Sequence, residues 1–496
     1  MATALIIFVP LAIYSSTVFA EFGLRDDYSI LREAHEERGT VFEGCAAQAR
    51  PIYGVLLEFS FARLRGIADL SLGRLCSAIL LGAAAALSAV VLHRILKWPL
   101  VTALLASLLL TTLPGAQIIV SWSICWPFSL AIVCSVAAFA TAQMAWSQSN
   151  RARLFAGTAL AFSLLVAATL IYPSETLVYV VFVVGLIPLR RHLPFSERTR
   201  EFVQHALLVG GALSVGFLIV QFGFVSGHIA PSARIAFETD WADKLVWLGL
   251  NPIRDALGLY TLDDLYGRTD RIQGSAIALV AAILVAGCWC EFKSHGWRSG
   301  LFWTLGLVSL CLAALSINLL AAERWAPYRT LLAESGVILF FSILSLENIA
   351  QRIGVRPTQS VQWLLLCAVV VTSIAARHQT RRLIAEPQMA ELQLVRAGST
   401  QIDPRRTQEI LILRPWAPDQ RLPVMFDDEF GSLSSNSDWT PKEMIKDVLR
   451  ERFPEFQQIE RRSHMMVEWI RPVGRKWDIV VDLRFPGHTR LTPLVH

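Results

Sequence analysis

Charge is scarce in this 496-residue chain: 17% of its residues are Asp, Glu, Lys or Arg, while 54% are hydrophobic. Soluble domains carry roughly 25% charged residues, so the deficit excludes a soluble globular enzyme. Also missing are a glycine-rich phosphate loop, a His-Glu-x-x-His segment and a pair of aspartates two apart. Chemistry that uses ATP or a nucleotide sugar therefore has no recognisable motif here. The formal net charge of +5 is small for this length and gives no reason to expect nucleic acid. Nor do the eight cysteines form a disulfide framework. Cys134, Cys288, Cys290, Cys311 and Cys367 lie inside apolar blocks, Cys76 and Cys125 at block edges, and only Cys45 in a polar loop. Cys288-Trp289-Cys290 is too closely spaced and too apolar in setting for zinc, and reads as core packing. No basic residue precedes the first apolar run. Thr17-Val18-Phe19-Ala20 offers small residues at a plausible cut, but without a basic leader the run reads as an uncleaved first helix.

What the chain has in quantity is apolar blocks of the length that crosses roughly 30 Å of hydrocarbon. Eleven candidate spans cover roughly residues 2–20, 76–93, 99–114, 126–146, 154–171, 175–189, 204–226, 274–292, 301–321, 330–347 and 361–377. With a cytoplasmic amino terminus, every even-numbered connection is basic. These hold Arg94 and Lys97; Arg151 and Arg153; Arg190, Arg191, Arg198 and Arg200; Lys293 and Arg298; Arg352 and Arg356. That agreement with the positive-inside rule sets the orientation. Leu113-Pro114-Gly115, Trp126-Pro127 and Tyr172-Pro173-Ser174-Glu175 interrupt the helical pattern. Broken backbone at membrane depth is tolerated only where protein or a water-filled cavity covers it, so these breaks predict a cavity near the outer face.

The layout divides the chain into a multi-span membrane domain, 1–377, and an extracytoplasmic α+β domain, 378–496. Two outer loops, roughly 21–75 and 227–273, belong to the first. The tail has 18 Lys and Arg with 17 Asp and Glu among its 119 residues, about 29% charged, which suits a water-soluble unit. Thr440-Pro441-Lys442-Glu443 is a capping-box pattern with proline at the first helical position, predicting a helix over roughly 441–452. Glu409 to Leu413 reads as a strand, and His464 to Ile470 with Lys476 to Phe485 as a hairpin turning at Val473-Gly474. Asp427-Asp428-Glu429 reads as a solvated turn.

Residues able to carry chemistry gather at the outer face. The first outer loop opens with Gly23-Leu24-Arg25-Asp26-Asp27-Tyr28. An Asp near hydrocarbon costs about 2.5 to 3.5 kcal/mol on insertion scales, so something must offset it. Asp27 precedes a helical pattern in which Ile30, Leu31 and Ala34 share a face, so it reads either as an amino-terminal cap or as a general base at the cavity mouth. After Arg50-Pro51, residues Ile52, Val55, Leu56, Phe59 and Arg63 follow a helical period, predicting an interfacial helix that presses the loop onto the membrane. Arg324 and Arg329 flank Tyr328 in a short outer connection, and Arg234, Arg254, Arg268 and Arg271 lie in the longer one. Guanidiniums at such positions hold phosphate through paired hydrogen bonds, or anchor headgroups and pair with Glu323 and Asp270. Glu175 either reaches to water or positions a sugar hydroxyl.

An amino-terminal helix, an acidic pair in the first outer loop, interfacial helices, many spans and an outer carboxy-terminal domain resemble the GT-C superfamily of polyprenyl-phosphate-sugar glycosyltransferases. The likeness is to the bacterial serotype-converting and cell-surface glucosyltransferase type. It is carried by Arg25-Asp26-Asp27-Tyr28-Ser29, Arg50-Pro51-Ile52-Tyr53-Gly54 and Asp428-Glu429-Phe430-Gly431-Ser432. The resemblance implies a GT-C fold and transfer of a hexose or pentose from a polyprenyl-phosphate carrier to a glycan, lipid or protein acceptor, with inversion, at the periplasmic face of a bacterial inner membrane. The family's catalytic aspartate maps onto Asp27 or Asp26, with Asp27 favoured. Arg50, Glu175, Arg234, Arg268, Arg324, Tyr328 and Arg329 are the expected substrate-binding residues. No cofactor is evident, and a divalent cation is left open. A transporter or flippase, or a lipid-linked glycan ligase, is the competing reading.

Overall fold

The computed structural model describes residues 6–265, 267–415, 429–453 and 463–484. Among them, eight helices are long and apolar enough to cross a bilayer: Ile67–Ile95, Ser123–Trp146, Arg151–Ile171, Phe195–Val225, Asp270–His295, Trp297–Ala314, Tyr328–Arg352 and Pro357–Ser399. This is a multi-pass, mainly α membrane protein with a small carboxy-terminal sheet. Leu100–Thr111 and Pro114–Ser121 form one further apolar pair, bent by 60° at its break. The blocks expected over 2–20 and 175–189 appear as the shorter apolar helices Phe8–Val18 and Pro173–Leu189. Tyr328–Arg352 is the central helix, with 89% of its apolar window buried.

Small residues set how closely the helices approach. A Cβ added to Gly82 would lie 2.0 Å from Ile7 O, and one added to Gly287 would lie 2.2 Å from Ser345 Cβ. Lipid tails are as apolar as leucine, so close backbone packing drives helix association in the bilayer. Within the first outer loop, helices Asp26–Glu36, Thr40–Ala47 and Pro51–Phe61 follow one another. The last of these buries Tyr53, Gly54, Leu57 and Phe61 and leaves Val55 and Phe59 exposed, which is the apolar outward stripe that the periodicity requires.

No loop separates the last span from the tail. Pro357–Gln379 passes through a π-helical turn, Thr380–Ala385, into Glu386–Ser399. Beyond it, strands β1 (Gln408–Leu413), β2 (Ser463–Glu468) and β3 (Ile479–Asp482) form a sheet in the order β2-β1-β3, and both outer strands run parallel to β1. The expected hairpin is therefore wrong: β2 and β3 do not pair. Ile410, Leu411 and Ile412 are fully buried, and β1 takes the centre because its apolar run can be covered there on both sides. The helix expected over 441–452 forms as Thr440–Arg452, yet Thr440 makes no capping hydrogen bond. Glu443 instead reaches Arg32 at 2.5 Å and Lys446 at 2.8 Å. All eight cysteines are free. Of the expected acidic turn, Asp427 and Asp428 lie outside the described residues, and Glu429 is fully buried instead of solvated.

Candidate active site

The helix breaks predicted from proline converge on one place. Trp122 takes an extended conformation between Pro114–Ser121 and the turn Ser123–Cys125. That break releases the Ile124 N–H, which donates to Asp27 Oδ1 at 3.0 Å, while Leu24 N–H donates to Asp27 Oδ2 at 2.9 Å. Asp27 is fully buried. Its carboxylate satisfies buried backbone donors that would otherwise be orphaned. Burial pushes its carboxyl up to about 7, against the pull of the Leu24 N–H and of Arg74.

Asp26, one residue earlier, faces the other way. It lines a cavity of about 1150 Å³ together with Arg25, Arg50, Arg234, Arg329 and Glu33. Burial raises its carboxyl above the usual range, opposed by the guanidiniums of Arg329, Arg25, Arg234 and Arg50. Each arginine is fixed by its surroundings. Arg329 sits on the turn Tyr328–Leu331, 5.0 Å from the Trp122 ring and 4.8 Å from the Trp325 ring, and forms an ion pair with Glu429 of the tail. Arg50 lies 4.8 Å over Tyr172 and donates to Gln48 Oε1 at 2.8 Å. Arg234 is 5.9 Å from the Trp325 ring and 3.7 Å from Glu323 Oε1. Its loop is fastened to the first outer loop by Ser232 N–H donating to Ala47 O at 3.0 Å. Cations stacked on aromatic faces keep their charge forward with little loss of packing.

The cavity has two kinds of wall. Near the arginines it is aromatic, with Tyr53, Phe128 and Tyr172 beside Trp122, Trp325 and Trp439. Its other wall is apolar, lined by Leu213, Phe217, Val220 and Phe224 of Phe195–Val225 and by Ile317 and Leu320. Phe217 and Leu218, both part of this lining, are 38% and 63% exposed.

The remaining expected residues lie elsewhere. Glu175 is buried and does not line the cavity, although Ser174 before it does, and neither of its carboxyl oxygens has a hydrogen-bond partner among the described residues. Arg324 points away from the cavity, pairing with Asp243 and, at 3.6 Å, with Glu238. Arg268 pairs with Asp264 at 3.4 Å. Tyr328 is structural: its hydroxyl accepts from Asp263 N–H at 2.7 Å and its ring meets Phe430 edge-on. Sequence reasoning missed Arg25, Glu33, Trp122, Trp325 and Trp439 as lining residues. Of these, only Arg25 carried a usable signal, its position beside the acidic pair. Among the described residues no group of three or more His, Cys, Asp or Glu is placed to hold a metal ion.

No protein-family model and no curated protein matches the chain. Among solved structures it is similar to the archaeal oligosaccharyltransferase AglB from Archaeoglobus fulgidus, in complex with an inhibitory peptide and a dolichol-phosphate. The identity is 12% and the TM-score 0.45, over 90% of this chain and 63% of the other. The chain thus spans less than two thirds of that neighbour's length, and the functional case stands on the cavity alone.

Proposed function

We propose that the protein is an integral-membrane glycosyltransferase that moves one sugar from a polyprenyl-phosphate carrier to a hydroxyl of a glycan, lipid or protein acceptor. One observation carries this reading: Asp26 shares a cavity with Arg329, Arg50 and Arg234, and apolar side chains of the membrane-length helix Phe195–Val225 form part of its lining. The apolar lining suits the isoprenoid tail, the guanidiniums suit the phosphate, and the aromatic wall suits the sugar. The basic loops support an orientation with the cavity on the periplasmic side of a bacterial inner membrane.

The chemistry needs few groups. Asp26 takes the acceptor hydroxyl proton as the acceptor oxygen bonds to the anomeric carbon. The carbon–oxygen bond to phosphate breaks, and the phosphate leaves as an anion held by the arginines. Phosphate is a weakly basic leaving group, so no general acid is required. Direct displacement from the face opposite the phosphate inverts the anomeric configuration. Incubating purified protein with a polyprenyl-phosphate sugar and a candidate acceptor tests the reading. Transfer with inversion supports it, whereas movement of the carrier across a vesicle membrane without product overturns it in favour of a flippase.

A further inference from the structure

Arg25 has a backbone conformation that its residue type disfavours. Its φ is 44° and its ψ −104°, near the mirror image of the first corner of a type II turn, where glycine is the usual occupant. The turn is closed by Asp27 N–H donating to Leu24 O at 3.0 Å. Asp26 is the next residue, so the direction of its carboxylate is set by this corner. Non-glycine residues persist in such conformations only where surrounding structure over-determines them, and functional sites are where they cluster.

Here the surrounding structure belongs to the carboxy-terminal unit. Arg25 N–H donates to Ser434 Oγ at 2.8 Å, and Arg25 Nη2 donates to Ser432 Oγ at 3.0 Å. The serine loop is itself anchored. Ser434 Oγ donates to Gln388 Oε1 at 2.7 Å, and Gln388 Nε2 donates to Ser432 O at 2.7 Å. Glu391 accepts from the N–H groups of Ser434 and Ser435, each at 3.0 Å. Gln388, Glu391 and Ser434 are fully buried. Both anchors stand on Glu386–Ser399, the helix continuous with the last span. A chain of hydrogen bonds thus runs from the membrane, through the tail, to the residue beside the candidate base.

We propose that the loop Ser432–Ser434 is a positioning device: by gripping Arg25 in its strained corner it aims Asp26 into the cavity, so the carboxy-terminal unit completes the active site. This rests on the function proposed above and gives the tail a part in it. Ser432, Leu433 and Ser434 do not line the cavity, and the loop's effect passes through Arg25.

The test uses the full-length protein. Ser434→Ala removes the hydroxyl that accepts from Arg25 N–H and leaves the phosphate-holding arginines in place. The rate constant kcat should fall about tenfold or more, as expected for a misaligned catalytic group, while KM for the lipid-phosphate sugar changes less than about twofold. A second comparison reads the corner without any assay of turnover. At an ordinary position Ala is more stabilising than Gly; at this one Arg25→Gly should melt at a higher temperature than Arg25→Ala. Unchanged kcat in Ser434→Ala, a raised KM with kcat intact, or the reverse melting order overturns the positioning role alone. A wild-type protein inert toward lipid-phosphate sugars overturns the proposed function, and this role with it.

Discussion

Asp26 and Asp27 are adjacent in the chain and serve opposite sides of one wall: Asp26 lines the cavity among arginines, and Asp27 lies behind it, accepting from Leu24 and Ile124 N–H groups. Successive residues on a helix point about 100° apart, which lets Asp26 line the cavity while Asp27 turns behind it. The sequence reading favours Asp27 as base; the proposed mechanism takes Asp26, because it is the one that lines the cavity.

The two aspartates should separate in mutagenesis. Asp26→Asn is expected to lower turnover by about 10² to 10⁴ with little change in melting temperature. Asp27→Ala should do the reverse, leaving two buried N–H groups unpaired at about 1 to 3 kcal/mol each. Parallel measurement of kcat and thermal unfolding checks both; loss of turnover with full stability in Asp27→Ala would return the base to Asp27.

The same residue predicts how stability depends on pH. Burial raises the Asp27 carboxyl from 3.8 to about 7, so between these values the folded protein binds a proton that the unfolded chain releases. Its contribution to stability is complete below about pH 4 and is lost as the pH rises through 7. Asp27→Asn does not titrate, so the melting temperature of wild type should decline over this interval relative to the variant. Equal slopes in the two melting profiles would refute the assignment.

Arg329 and Glu429 form a buried pair, at 7% and 0% side-chain exposure. Removing one partner of such a pair costs about 3 to 5 kcal/mol, because the other is left buried and uncompensated. Arg329→Gln should therefore destabilise the protein, and Arg329→Gln with Glu429→Gln should recover much of the loss. Turnover should stay low in both, since neither variant has the phosphate-facing guanidinium. A double-mutant cycle in melting temperature and donor KM checks this, and full activity in the double variant would remove Arg329 from the site.

Arg324 provides the contrast. It is five residues from Arg329 but pairs with Asp243 and Glu238 outside the cavity. Arg324→Ala should leave kcat/KM for the donor within about twofold and stability within about 1 kcal/mol, as for an exposed ion pair. A tenfold rise in donor KM would place Arg324 back among the substrate-binding residues.

Several features could be read from the chain because they are local. The long apolar helices, such as Phe195–Val225 and Asp270–His295, follow from block length against bilayer thickness. The breaks at Pro114 and Pro173 follow from the missing N–H and the clash of the proline ring. The outward stripe of Val55 and Phe59 follows from helical period. Strand β1 was visible in its apolar run, but its place between β2 and β3 was not, because pairing joins segments tens of residues apart.

The sequence by itself determined that this is a membrane protein, where its backbone must break, and that acidic and basic groups gather at one face. Only the tertiary structure decided that Asp26 faces the arginines, that Asp27 satisfies the broken backbone, and that Glu429 and Ser434 reach Arg329 and Arg25 from the far end of the chain. The division has a physical cause. Transfer between water and lipid is settled segment by segment, whereas the rotation of a helix about its own axis depends on partners distant in sequence.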